Sequence, residues 1–181
     1  MRDKYTGIQL VLFDVDGVLT DGGLNITSEG EIYKQFNVKD GVAIALLKAH
    51  GIRTGVVSGK QSAALDYRCK QLALDVIITG CSDKLSAAQR LVSEMNIAPS
   101  QIVFVGDDII DLSVMDFVGV SYSPADGHVL AKRRADIILE CPGGAGVARE
   151  VAEHILFSRG LSLEEMYQPL LIKDERTIVV Q

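Results

Sequence analysis

The sequence predicts an α/β fold built on a parallel sheet with helices on both faces. Three observations carry the prediction. Short β-rich apolar runs alternate with helical patterns along the chain, as strand–helix–strand units require. Four of those runs end at an acidic or glycine-bearing turn, where such sheets bind ligands beyond the carboxyl ends of their strands. The length of 181 residues fits one domain, against a prior of about 100–200 residues, and leaves little room for a second one covering a site. The expected architecture is a Rossmann-like, doubly wound parallel sheet with no separate cap domain.

The elements follow in order. Ile8-Gln9-Leu10-Val11-Leu12-Phe13 is the first strand and runs into Asp14-Val15-Asp16-Gly17. A β-hairpin is inserted directly after that turn: Leu24–Thr27 and Ile32–Phe36 flank Ser28-Glu29-Gly30-Glu31. It forms a flap of about residues 22–37. Val42, Ala45, Leu46 and Ala49 recur at i, i+3, i+4 and i+7 and predict a helix over 41–50. Parallel strands are expected at Ile52–Val57, ending at Ser58-Gly59, at Val76–Ile78, ending at Thr79-Gly80, and at Ile102–Val105, ending at Gly106-Asp107-Asp108. Helices are expected over 61–73, 84–95, 111–117, 126–133 and 145–159, punctuated by Pro99 and Gly160. Further short strands are expected at Val118-Gly119-Val120 and Ile137-Ile138-Leu139. Gly143–Gly146 reads as the tight turn opening the last of those helices, with an anion cradle as the alternative. Residues 1–160 thus form one domain. Residues 161–181 add a C-terminal helix, opened by the capping-box pattern Ser162-Leu163-Glu164-Glu165, and a tail ending Ile178-Val179-Val180-Gln181.

Composition narrows the function classes. Hydrophobic residues at 48% and charged residues at 23% exclude wholesale disorder. Eighteen Lys and Arg against 24 Asp and Glu give a formal net charge of −6, the wrong sign for a nucleic-acid footprint. No apolar run approaches the ~18 residues of a membrane span, and the polar start from Met1 to Ile8 does not resemble a signal peptide. Cys69, Cys81 and Cys141 are odd in number and lack CxxC spacing, so free thiols in a reducing cytoplasm are expected.

The chemistry is carried by acids. Asp14 and Asp16 stand two residues apart at the end of a buried strand, and Asp107, Asp108 and Asp111 stand at the end of another. Buried carboxylates are costly unless paired or bound to metal. Several of them converging on one sheet edge suit a hard divalent cation with oxygen ligands, Mg²⁺. Mg²⁺ at such a site points to a phosphoryl group. Ser58 and the backbone amides of Ser58-Gly59, just before a helix, supply donors for its oxygens. Lys84 opens a helix, where its charge gains nothing from the local dipole, and beside these acids it reads as functional. His50, His128 and His154 share no spacing with the acids or with one another and are expected at the surface or in caps.

This set resembles the haloacid dehalogenase superfamily of phosphatases over nearly the whole chain. Asp14-Val15-Asp16-Gly17-Val18-Leu19-Thr20 is similar to its first motif, Ser58 to its second, Lys84 to its third and Gly106-Asp107-Asp108-Ile109-Ile110-Asp111 to its fourth. The resemblance implies Asp14 as nucleophile, forming an aspartyl-phosphate, and Asp16 as general acid and then base. It implies Mg²⁺ held by Asp14, the backbone carbonyl of Asp16 and Asp107, with Asp108 and Asp111 behind them. Ser58 and Lys84 would stabilise the phosphoryl oxygens.

A narrower match lies in Asp16–Gly22, the hairpin, Phe36–Gly41, Arg68-Cys69, Ser82–Leu85 and Gly143–Glu150. These segments resemble the capless 3-deoxy-D-manno-octulosonate 8-phosphate phosphatase family, which implies a homotetramer whose neighbouring subunits help to close each site. The implied substrate is the eight-carbon sugar-acid phosphate, with a nine-carbon nonulosonate 9-phosphate as the alternative. One residue departs from the pattern: Ser58-Gly59 is followed by Lys60, where that family usually carries arginine, so the bidentate fork for a sugar carboxylate is lost. Gly59, Lys60 and Arg68 are the expected substrate contacts. Two rivals are weaker. A receiver domain would carry its acceptor Asp alone after the third strand, and a non-catalytic oligomerisation module would have lost Asp14, Asp16 or Asp107.

Overall fold

The computed structural model describes residues 2–28 and 30–174. Six strands, β1 (Leu10–Phe13), β4 (Arg53–Val57), β5 (Val76–Ile78), β6 (Ile102–Val105), β7 (Val120–Ser123) and β8 (Ile137–Ile138), form one sheet in the order β5-β4-β1-β6-β7-β8. Every neighbouring pair is parallel. β1 is central, with Phe13 level with Val56 on one side and Val105 on the other. The order reverses there, so the residues following β1, β4 and β6 emerge at one edge, the switch point of a doubly wound sheet.

Strand side chains alternate between faces, and this sorts the core into two layers. Val11, Phe13, Val103, Val105 and Tyr122 pack with α2 (Val38–Ala49), α7 (Val147–Ser158) and α8 (Leu163–Asp174). Leu10, Leu12, Ile102 and Phe104 pack against α4 (Lys84–Met95), α5 (Leu112–Phe117) and α6 (Val129–Arg134) on the other face. Burial on both faces is why these strands read as unbroken apolar runs. α3 (Ala63–Gln71) adds Leu65 and Cys69 to the first layer. Met166 of α8 is buried there too, and His50 Nε2 lies 2.8 Å from its carbonyl oxygen. The Ser162 and Glu165 capping box forms reciprocally, at 2.7 and 3.3 Å.

Several boundaries differ from expectation, each for a local reason. α2 begins at Val38 because the Asn37 side chain accepts the Lys39 N–H, which places Gly41 inside the helix. The strand expected at 118–120 runs instead from Val120 to Ser123: the Val118 N–H closes α5 on Val114, and Gly119 donates to Pro99 and Ile102. Ser121 is buried in that strand because Asp136 satisfies both its amide and its hydroxyl. The hairpin is shorter than expected, β2 (Asn25–Thr27) against β3 (Gly30–Tyr33), and Lys34–Phe36 leave the ladder. A short helix, α1 (Arg2–Thr6), was not foreseen; it seats Tyr5 in the core while Arg159 donates to the Tyr5 and Ile8 carbonyls. Among the described residues no helix is long and apolar enough to cross a membrane. The C-terminal tail, 175–181, lies outside the described residues.

Candidate active site

The loop after β1 is wound tightly. The Val15 carbonyl accepts the amides of Val18, Leu19 and Thr20, and the turn needs a positive φ of 84° at Gly17. Glycine is required for a second reason: a Cβ at Gly17 would lie 2.1 Å from Asp107 Oδ2. The loop thereby brings Asp14 against the acids that follow β6. Gly106 repeats the device, since a Cβ there would meet the Asp111 carboxylate at 2.6 Å. The Asp14 amide donates to the Val105 carbonyl at 2.9 Å, extending the β1–β6 pairing by one residue into the site.

Carboxylate oxygens of Asp14, Asp107 and Asp111 lie within 4.8 Å of one another. Lys84 Nζ joins them, 2.8 Å from Asp14 Oδ2 and 2.7 Å from Asp111 Oδ1. Asp111 is fully buried, and its other oxygen accepts the amides of Asp107 and Asp108. Burial, reinforced by the Asp111 charge, pushes Asp14 up to about 6, although Lys84 works against it. Asp107 is pushed up to about 7 by burial and by the charges of Asp14, Asp111 and Asp108. Burial alone would depress the Lys84 ammonium, but Asp14 and Asp111 outweigh it and hold its pKa above the ordinary value. The one ammonium pairs with two of the three carboxylates, and Asp107 Oδ1 is buried with no hydrogen-bond partner among the described residues. An orphaned oxygen in an over-negative cluster is the donor set a hard cation requires.

The other expected residues fall into three places. Ser58 is buried at the end of β4, its Oγ accepting the Lys60 amide at 3.2 Å, and Gly59 and Lys60 stand exposed beyond it. Asp16 is not one of the three clustered carboxylates; Lys34 Nζ lies 2.5 Å from its Oδ1. Asp108 is exposed and caps the 3₁₀ turn Ile109–Asp111 through the Ile109 amide. Arg68 lies at the root of the hairpin, donating to the Asn37 carbonyl and to Gln71, with its guanidinium 6.0 Å from the Phe36 ring centroid. It borders an open groove of about 420 Å³ that Lys34, Phe36 and Tyr67 also line. The histidines are elsewhere; His128 caps α6 and His154 meets the Tyr122 hydroxyl.

Lys34 is the residue that sequence reasoning missed, because nothing in its neighbourhood of the chain marks a hairpin lysine as buried. The Gly143–Gly146 turn does more than open α7. A Cβ at Gly143 would lie 2.2 Å from the Gly17 carbonyl oxygen, and the Gly144 amide donates to Val18, so the turn clamps the loop that bears Asp14.

With this geometry in place, comparisons with known proteins agree on its kin. The haloacid dehalogenase-like hydrolase family model matches residues 67–151. The 3-deoxy-D-manno-octulosonate 8-phosphate phosphatase of Escherichia coli K12 is 38% identical over 157 residues, which is 87% of this chain and 84% of that protein. The crystal structure of the corresponding Moraxella catarrhalis phosphatase, in complex with a magnesium ion, a phosphate ion and a KDO molecule, is similar at a TM-score of 0.85. It is 34% identical and covers 97% of each chain. The cobalt-bound Haemophilus influenzae phosphatase has a TM-score of 0.87 and 34% identity over 93% of this chain and 99% of that one.

Proposed function

The chain belongs to the 3-deoxy-D-manno-octulosonate 8-phosphate phosphatase family of haloacid dehalogenase-like hydrolases, and from that premise we propose that it hydrolyses a sugar-acid phosphate, 3-deoxy-D-manno-octulosonate 8-phosphate, for lipopolysaccharide precursor synthesis. The observation that carries the reading is the buried junction of Asp14, Lys84, Asp107 and Asp111 at the central strand ends. Asp14 attacks phosphorus and the ester P–O bond breaks, while Asp16 gives its proton to the departing alkoxide. Asp16 then takes a proton from water, which attacks the aspartyl-phosphate; inorganic phosphate leaves and Asp14 is restored. Lys84, the Ser58 hydroxyl and the Gly59 amide meet the phosphoryl oxygens. Mg²⁺, held by Asp14, Asp107 and the Asp16 carbonyl, neutralises phosphoryl charge when bound. Asp111 keeps Lys84 and the Asp107 backbone in place, and Asp108 stands at the rim.

Lys60 and Arg68 are the cations we assign to the sugar carboxylate. Lys60 also favours one alternative, a nonulosonate 9-phosphate, because a point charge is less selective than a guanidinium fork. We further propose a cytoplasmic homotetramer in which neighbours complete each site; the exposed Leu24, Ile26 and Tyr33 of the hairpin support a partner there. The test is a Mg²⁺-dependent turnover panel of eight-carbon, nine-carbon and neutral hexose phosphates, with Asp14→Asn as control. The eight-carbon sugar acid is expected to lead and Asp14→Asn to be inactive with its fold intact. Neutral sugars turned over an order of magnitude faster would overturn the substrate, and an active Asp14→Asn enzyme the mechanism.

A further inference from the structure

Lys34 lies outside the motifs that carry the chemistry, yet its side chain is 1% exposed. Its ammonium contacts two carboxylates, Asp16 Oδ1 at 2.5 Å and Glu31 Oε1 at 2.8 Å. Glu31 belongs to the hairpin and Asp16 to the loop after β1, so the ion pair crosses from the flap to the nucleophile loop. A buried ammonium is tolerated only where such partners offset its lost hydration. The Asp16 side chain is a quarter exposed, and solvent on that side would let a short carboxylate turn between rotamers. Lys34 selects one of them by gripping a single oxygen.

We propose that Lys34 is a positioning residue for proton transfer, holding Asp16 Oδ1 so that Oδ2 faces the leaving-group oxygen. The proposal rests on the reading of Asp16 as general acid given above. In that step the P–O bond breaks and one proton passes from Asp16 to the oxygen of the departing alcohol. Without Lys34 the alcohol must leave as an alkoxide more often. That penalty is heavy for a sugar alkoxide and slight for 4-nitrophenolate, which departs readily without a proton.

Leaving-group dependence therefore separates positioning from a structural role. The test measures kcat and KM of the wild type, Lys34→Met, Lys34→Arg and Asp16→Asn on the sugar-acid phosphate and on 4-nitrophenyl phosphate. A ratio of kcat/KM values is independent of the folded fraction, and Lys34→Gln replaces the Met variant if that one does not fold. Lys34→Met is expected to lose about 10–100-fold more on the sugar ester than on the aryl ester, the scale of general-acid catalysis and of an ångström-level misplacement. Asp16→Asn should show the same bias at least as strongly, with Lys34→Arg between wild type and Met. Equal loss on both esters by Lys34→Met, or a raised KM for the sugar acid at unchanged kcat, overturns the positioning role. Bias in Asp16→Asn without bias in Lys34→Met overturns it alone; no bias in Asp16→Asn overturns the acid reading and Lys34's role with it.

Discussion

At Asp107 a half-buried carboxylate faces two more, with Lys84 already committed to Asp14 and Asp111. The consequence is a cation-dependent stability. Mg²⁺ at a hundredfold over its Kd is expected to raise the melting temperature by about 5–10 °C. Asp107→Asn should melt above the wild type without Mg²⁺ and gain almost nothing when it is added, which differential scanning fluorimetry would read directly. A second residue gives a pH signature away from the metal. Asp40 is buried beneath the hairpin root, its Oδ1 accepting the Ala148 amide while Oδ2 has no partner among the described residues. Burial raises it from 3.8 to about 6. Its folded pKa lies above the unfolded one, so its contribution is complete below about pH 4 and is lost as pH rises through 6, by roughly 3 kcal/mol. Urea titrations should show Asp40→Asn gaining on the wild type by that order between pH 4 and 7; parallel pH curves would refute the assignment. Asp14, Lys84 and the acids after β6 were legible because motif residues sit next to strand ends in the chain itself. Lys34 and Asp40 were not, since their burial exists only once the hairpin root folds back.

Among the elements, the rhythm of strands and helices was legible from the alternation of apolar runs with helical patterns, although the helix expected over 61–73 begins only at Ala63, where the Ser62 side chain caps α3, as Asp83 caps α4. It failed where polarity was satisfied across space. Ser121 and Ser123 break the apolar pattern of β7, and the Asp136 that makes Ser121 acceptable lies 15 residues away. α1 failed differently, being five residues long, too short for a helical period to register. The Gly143–Gly146 turn was read correctly as the start of α7, but its grip on the Gly17 loop had no sequence signal. That grip makes a prediction at this scale. Gly143→Ala should cost about 1–3 kcal/mol of overpacking, a fall of about 3–10 °C in melting temperature. Turnover should fall further than the lost stability explains, because the displaced loop bears Asp14; wild-type kcat in the folded variant would contradict the clamp.

For the whole molecule, the parallel sheet could be foreseen from alternation alone, whereas the relation between copies could not, because surface residues obey no period. The hairpin leaves Ile26 and Tyr33 more than half exposed, on a two-stranded unit that is marginal by itself. Sedimentation velocity should therefore find a tetramer, and specific activity should fall on dilution through its dissociation range; a fully active monomer would exclude shared sites. The clamp between the Gly143–Gly146 turn and the loop that bears Asp14 also sets a schedule. Asp14 is synthesised about 130 residues before the Gly143 backbone that holds its loop in shape. Chains released before Pro142 lack that hold altogether and are expected to bind no Mg²⁺ and hydrolyse no ester, which calorimetry and a turnover assay would check.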